Sequence, residues 1–151
     1  MPINLRDFFE ESAIDLDLGG ESKDEILRSL ITLLGVDEKS EQNLYKMLKR
    51  RESLGSTGIG GGIAIPHCRS LAVDQLRVAF GRRTGGVDFK AVDSEPVRFF
   101  FLIVAPPLEV SNQYLPVLGK IAQFVKNANT STRLAELATA TDFLALLGET
   151  S

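Results

Sequence analysis

The chain contains one histidine, His67, and its surroundings are distinctive. A glycine-dense run with Gly55, Gly58, Gly60, Gly61 and Gly62 leads into Ile63, Ala64 and Ile65, and then into Pro66, His67 and Cys68. Pro66 cannot donate a ladder hydrogen bond and holds an extended φ, so it closes the preceding short strand and presents His67 at its end. A neutral imidazole nitrogen is a good nucleophile near neutral pH and a good leaving group once protonated. Such a side chain can accept and release a phosphoryl group. Reversible transfer needs in-line access, donors or positive charge for the phosphoryl oxygens, and a means of keeping the other ring nitrogen protonated. Candidates for the oxygen contacts precede His67. The glycine loop can bring backbone N–H groups such as that of Gly58 close to an anion, with the Ser56 and Thr57 hydroxyls as further donors. Arg51, just before the loop, is the cationic candidate.

Other chemistries fit less well. The run over 55–62 lacks the Gly-Lys-Ser/Thr ending of a nucleotide-binding P-loop and is not followed by a helical pattern. Cys68 neighbours His67 in an extended segment, where successive side chains point to opposite faces; a shared His–Cys metal site and a Cys–His nucleophile pair are therefore both disfavoured. No metal and no cofactor is expected.

The elements that must position these residues follow from periodicity. A short helix is expected over 4–9 and a half-buried strand over 13–18, where apolar and acidic residues alternate. Ser22 with Glu25 forms a capping-box pattern ahead of a helix carrying Ile26, Leu27, Leu30, Ile31, Leu33 and Leu34, closed at Gly35. A second helix starts after Ser40, with Leu44, Met47, Leu48 and Arg51 on one inward stripe. Residues 76–84 read as a strand, Gly85 and Gly86 as a turn, and 87–96 as a hairpin or edge strand. The apolar run over 99–104 suits a central strand covered on both faces, ended by Pro106 and Pro107. Helical pieces follow, first with Leu115, Leu118, Ile121, Ala122 and Val125 on one face, then over 132–138 and 142–147. Interleaved strands and helices imply an α/β sandwich around a central sheet, one domain over 1–151. A 44% apolar content with 25% charge provides for a core, and a net charge of −3 without a basic block argues against nucleic-acid binding. A lone cysteine excludes an internal disulfide, and neither an export signal nor a membrane span is evident, so a cytoplasmic location is expected without direct membrane insertion.

The segment over 52–68 resembles the active-site signature of the enzyme IIA proteins of the bacterial phosphoenolpyruvate-dependent phosphotransferase system, in their fructose/mannitol/nitrogen-regulatory class. Glu52, Ile59, Gly60, Ile63, Ala64, Ile65, Pro66, His67 and Cys68 fill that pattern, and the run over 55–60 is most like nitrogen-regulatory members. The resemblance implies a mixed, mainly five-stranded sheet with helices packed on both faces, and phosphorylation of His67. It also implicates Arg51, which matches an arginine that family members keep beside the phosphorylated histidine; an arginine in a last helical turn also answers free carbonyls. Members commonly have a second active-site histidine, and the matching position here is Tyr114, followed by Leu115. Pro116 places Tyr114 at or just before a helix N-terminus. A phenol there can donate one hydrogen bond without positive charge, or simply pack its ring. The implied function is a phosphocarrier that takes its phosphoryl group from a histidine-phosphorylated carrier protein and acts as a phosphorylation-dependent regulator. The length, with no IIB or membrane domain in the sequence, leans towards that regulatory branch. The alternatives are an adaptor that transfers phosphate poorly, or a sugar-specific IIA passing phosphate to a cysteine of a IIB domain.

Overall fold

The computed structural model describes residues 4–109, 112–127 and 129–149. The chain opens with a 3-10 turn, Leu5–Phe8, in place of the expected helix; Asn4 Oδ1 caps it by accepting from the Arg6 amide at 3.1 Å. A second turn, Glu11–Ala13, leads into β1, Ile14–Asp15. The strand expected over 13–18 shrinks to these residues because Asp15 Oδ1 accepts from the Asp17 amide at 2.9 Å, bending the chain out of the ladder. Helix α1, Lys23–Thr32, starts where the capping pattern places it, with Ser22 Oγ accepting from the Glu25 amide at 3.2 Å. Helix α2, Glu38–Ser53, starts before Ser40 because Asp37 is its cap, accepting from the Ser40 amide at 2.7 Å.

The glycine run is partly strand. β2, Gly58–Gly60, pairs antiparallel with β3, Ile63–Ala64, across a turn at Gly61 and Gly62, whose φ values of 67° and 80° are those a tight hairpin demands and glycine alone adopts cheaply. Pro66 then interrupts the ladder before β4, His67–Arg69. β5, Arg77–Val87, runs through Gly85 and Gly86 rather than turning there, absorbing them in a register shift between Arg82 and Val87. No strand forms over 88–96: Asp88 and Asp93 each accept the amide two residues on, at 3.0 Å, while Phe89 and Ala91 turn inward. β6, Val97–Ala105, follows.

The mixed sheet has the order β1-β5-β6-β3-β2, with β4 also on β6. Six strands stand where mainly five were expected, because the break at Pro66 divides one extended segment into β3 and β4, both parallel to β6. β6 is central and buried on both faces, as its unbroken apolar run requires. Its alternation sorts the core: Phe100, Leu102 and Val104 pack with α1 and α2, whereas Phe99, Phe101 and Ile103 pack with the later helices. Those are α3, Tyr114–Lys126, α4, Thr130–Ala135, and α5, Ala140–Gly148, the last opened by a Thr139–Asp142 capping box. α3 buries Tyr114, Val117, Ile121 and Phe124, so its inner face is turned by one residue, about 100°, from the expected line; Leu115 is 65% exposed. Burying the two aromatic rings removes more apolar surface than burying the leucines would, and Phe124 meets Phe101 edge-on at 6.2 Å.

Candidate active site

The register of β4 decides which way each side chain faces. His67 lies opposite Ile103 and Arg69 opposite Ala105, both on the α3 face of the sheet, while Cys68 lies opposite Val104 and packs with the α1–α2 layer. Cys68 is thus turned away from His67, as extended geometry anticipates, and its burial pushes the thiol up to about 12. His67 is half-buried, and its Nδ1 lies 2.7 Å from the Ile65 carbonyl oxygen. A carbonyl only accepts, so Nδ1 carries the proton and the lone pair resides on Nε2. The third requirement for reversible transfer, a partner for the second ring nitrogen, is therefore met by backbone.

Tyr114 is brought to His67, with ring centroids 6.3 Å apart and an interplanar angle of 56°. It is the first residue of α3, where its amide and that of Gln113 both donate to Glu109 Oε1 at 3.0 Å. Its ring is buried, and that burial pushes the phenol up to about 12, with the charges of Arg69 and Arg51 opposing the rise. The phenol is a neutral donor across the physiological range. Over the same ring, at 4.4 Å, lies the guanidinium of Arg69, which also donates to the Pro106 carbonyl at 3.1 Å. Arg69 was not singled out from sequence; the available signal was its position two residues after His67 in an extended segment, which puts both on one face.

Arg51 is half-buried in the last turn of α2 and donates to the Gly55 carbonyl at 2.8 Å. Gly55 has φ 148°, which only glycine adopts freely, and this turns its carbonyl back onto the helix end. The inward line of α2 is Leu44, Leu48 and Glu52, with Met47 and Arg51 flanking it half-buried. Glu52 is the other residue that the sequence reading undervalued. Its buried carboxylate pairs with Lys23 Nζ at 2.9 Å, accepts the Thr57 amide at 3.0 Å and accepts the Thr57 hydroxyl in a very short bond. The step of four residues from Leu48 was the clue.

The donors expected to meet an anion have partners within the fold. The Thr57 hydroxyl and amide both go to Glu52, the Ser56 hydroxyl donates to the Phe89 carbonyl at 2.6 Å, and the Gly58 amide donates to Ser56 Oγ at 3.0 Å. Those hydrogen bonds stitch the loop to α2 and to residues 88–96. The guanidinium of Arg69, over the Tyr114 ring, lies on the same face of β4 as His67.

The half-buried imidazole of His67 thus stands at a strand start beside Tyr114 at the N-terminus of α3, within an α/β sandwich. The chain belongs to the family described as "Phosphoenolpyruvate-dependent sugar phosphotransferase system, EIIA 2", whose model matches residues 7–150. A nitrogen regulatory protein from Pseudomonas aeruginosa is 34% identical over 127 residues, covering 83% of this chain and 82% of the relative. The fructose-specific EIIABC component of the phosphotransferase system from Bacillus subtilis is 29% identical over 136 residues; the match covers 89% of this chain but 21% of that protein. Among solved structures, nitrogen regulatory protein IIA-Ntr from Neisseria meningitidis superposes with a TM-score of 0.85 at 32% identity, covering 95% of this chain and 98% of that one. Among the described residues, no helix is long and apolar enough to cross a membrane.

Proposed function

We propose that the chain is a phosphoryl carrier whose His67 Nε2 takes a phosphoryl group from the phosphohistidine of an upstream carrier protein. The observation that carries this reading is the Nδ1–H bond to the Ile65 carbonyl, 2.7 Å, because it leaves Nε2 as the nucleophile and holds the ring for attack. The Nε2 lone pair attacks phosphorus in line as the donor's P–N bond breaks, and that electron pair returns to the donor imidazole. The positive charge that develops on the His67 ring is stabilised by the Ile65 carbonyl, which keeps its hydrogen bond throughout. Arg51, anchored on Gly55, steadies the phosphoryl oxygens, and Tyr114 borders the site as a neutral ring. Transfer onward retraces the same steps, to a cysteine of a IIB domain or back to the carrier.

Docking is supported by apolar residues left exposed near the site in sequence: Leu54 (82%), Leu71 (88%), Leu108 (90%) and Leu115 (65%) follow Arg51, Arg69, Pro106 and Tyr114 closely. A phosphoryl group adds up to about two negative charges, enough to change which protein such a surface accepts. This is the basis for a phosphorylation-dependent regulatory role of the nitrogen-regulatory kind, exercised in the cytoplasm. Incubation with phosphoenolpyruvate, enzyme I and a histidine-phosphorylated carrier, read by intact-mass spectrometry at neutral or alkaline pH, tests the proposal. Wild type gains an acid-labile phosphate and His67→Ala does not. A wild type that stays unlabelled with several carriers points instead to a binding-only adaptor.

A further inference from the structure

We propose that Arg69 is a second phosphoryl-binding cation of this site, held in place by Tyr114 and the Pro106 carbonyl; the proposal rests on reading His67 as the phosphoryl acceptor. Arg69 and His67 occupy alternate positions of β4 on the same face, so their Cα atoms are separated by about 6.6 Å of strand and their side chains rise side by side towards α3. The guanidinium lies 4.4 Å from the Tyr114 ring centroid, and that ring lies 6.3 Å from the His67 ring. A guanidinium seated on an aromatic face keeps its N–H groups in its own plane, directed outward around the rim. One of the five goes to Pro106 at 3.1 Å, which fixes the group without exhausting its donors. Most of the rotamer entropy that a flexible arginine would lose on binding an anion is therefore lost already in the unphosphorylated protein.

Charge makes the same point. The arriving phosphoryl group carries up to about two negative charges, and Tyr114, buried and neutral, cannot balance them. Arg51 approaches from the end of α2 and Arg69 from β4, and the charges of both reach the Tyr114 phenol. Tyr114 is thus the platform that holds a cation beside His67, without itself supplying the charge.

The test uses the full chain with phosphoenolpyruvate, enzyme I and a phosphorylated carrier, comparing wild type, Arg69→Gln, Arg69→Lys and His67→Ala. The phosphorylation rate at saturating carrier, the carrier KM, and the titration of the phosphoryl group on His67 by phosphorus NMR are measured together. Arg69→Gln lowers the saturated rate roughly tenfold or more, with KM within about twofold, and raises the phosphoryl pKa by about one unit, because a dianion loses a neighbouring cation. Arg69→Lys restores the phosphoryl pKa towards wild type and recovers part of the rate, since it keeps charge but loses the planar fork. An Arg69→Gln protein with wild-type saturated rate and phosphoryl pKa overturns the proposal, as does a change confined to KM, which would make Arg69 a docking residue. A wild type that gains no phosphate, or gains one that persists in His67→Ala, removes the phosphoryl-acceptor reading and this inference with it. Circular dichroism melts of both arginine variants separate loss of fold from loss of charge.

Discussion

At His67 the chemistry depends on which nitrogen holds the proton, and a backbone oxygen decides it. Nitrogen-15 NMR at alkaline pH is expected to show a protonated Nδ1 and a pyridine-type Nε2 for His67, given the 2.7 Å contact with Ile65. Arg51→Ala is expected to slow phosphorylation by roughly tenfold while leaving the melting temperature nearly unchanged, because its bond to Gly55 lies at the partly exposed helix end. Equal labelling rates in the two proteins would remove Arg51 from the site. Cys68 gives a contrasting case. Its buried thiol, pushed up to about 12, is expected to resist iodoacetamide at pH 8 in the folded protein and to react readily in denaturant. These positions were unequally legible from sequence. His67 was exposed by its Pro66 neighbour and glycine context, whereas the Ile65 carbonyl has no side-chain signature.

Among the elements, the junction between α2 and β2 ties the loop that precedes His67 to the helical layer. Glu52 joins α2 to the start of α1 through Lys23 and to the loop through Thr57. Glu52→Ala leaves the Thr57 amide and hydroxyl without their acceptor and is expected to cost about 2–4 kcal/mol, measured by urea unfolding. A loss within experimental error would show that the network contributes nothing to stability. Gly58→Ala is a steric test of the same junction. A Cβ there would stand 2.7 Å from Ala91 Cβ and 2.9 Å from Ala91 Cα, and since backbone cannot swing aside, a loss of about 1–3 kcal/mol is expected. Gly85→Ala, which meets nothing within 4 Å, is the control and is expected to be neutral or slightly stabilising. The helix start at Ser22 was readable because capping is local, whereas the last helix, expected from 142, starts at Ala140 behind the Thr139 cap. The buried face of α3 was not, because the choice between two adjacent apolar lines depended on Phe101 across the layer.

For the molecule as a whole, the two layers on β6 bury groups whose protonation ties stability to pH. Cys68 and Tyr114 have ordinary values of 9.0 and 10.0, and both are pushed up to about 12 by burial. Well below pH 8 both groups keep their protons folded or unfolded, so neither makes stability depend on pH there. As pH rises towards 12 the unfolded chain releases protons first, and stability falls. Urea unfolding at pH 8, 9.5 and 10.5 is expected to show that decline, reduced in Cys68→Ala relative to its own value at pH 8. A variant that declines as steeply as wild type would remove Cys68 as a source. The aromatic stack of Phe80 on Phe143, centroids 4.2 Å apart, and the packing of Phe101 beside them tie α5 to the sheet. The last helix therefore belongs to the core that carries the site, although it contributes no residue to it.

The amino-acid sequence by itself determined the features that depend on near neighbours. These are the helix start at Ser22, the central strand announced by its continuous apolar run, the strand break at Pro66, and the lone histidine that follows it. Tertiary structure alone decided which side chains share a face with His67. Tyr114 and Arg69 come to His67 because β4 pairs with β6 in one register and α3 rotates its aromatic side inward. Ser56 and Thr57 are engaged by the Phe89 carbonyl and by Glu52, acceptors drawn from separate elements. Capping and periodicity act over a few residues and are written in residue type. Hydrogen-bond partners drawn from separate elements depend on strand register and helix rotation, which are set by the packing of the whole core.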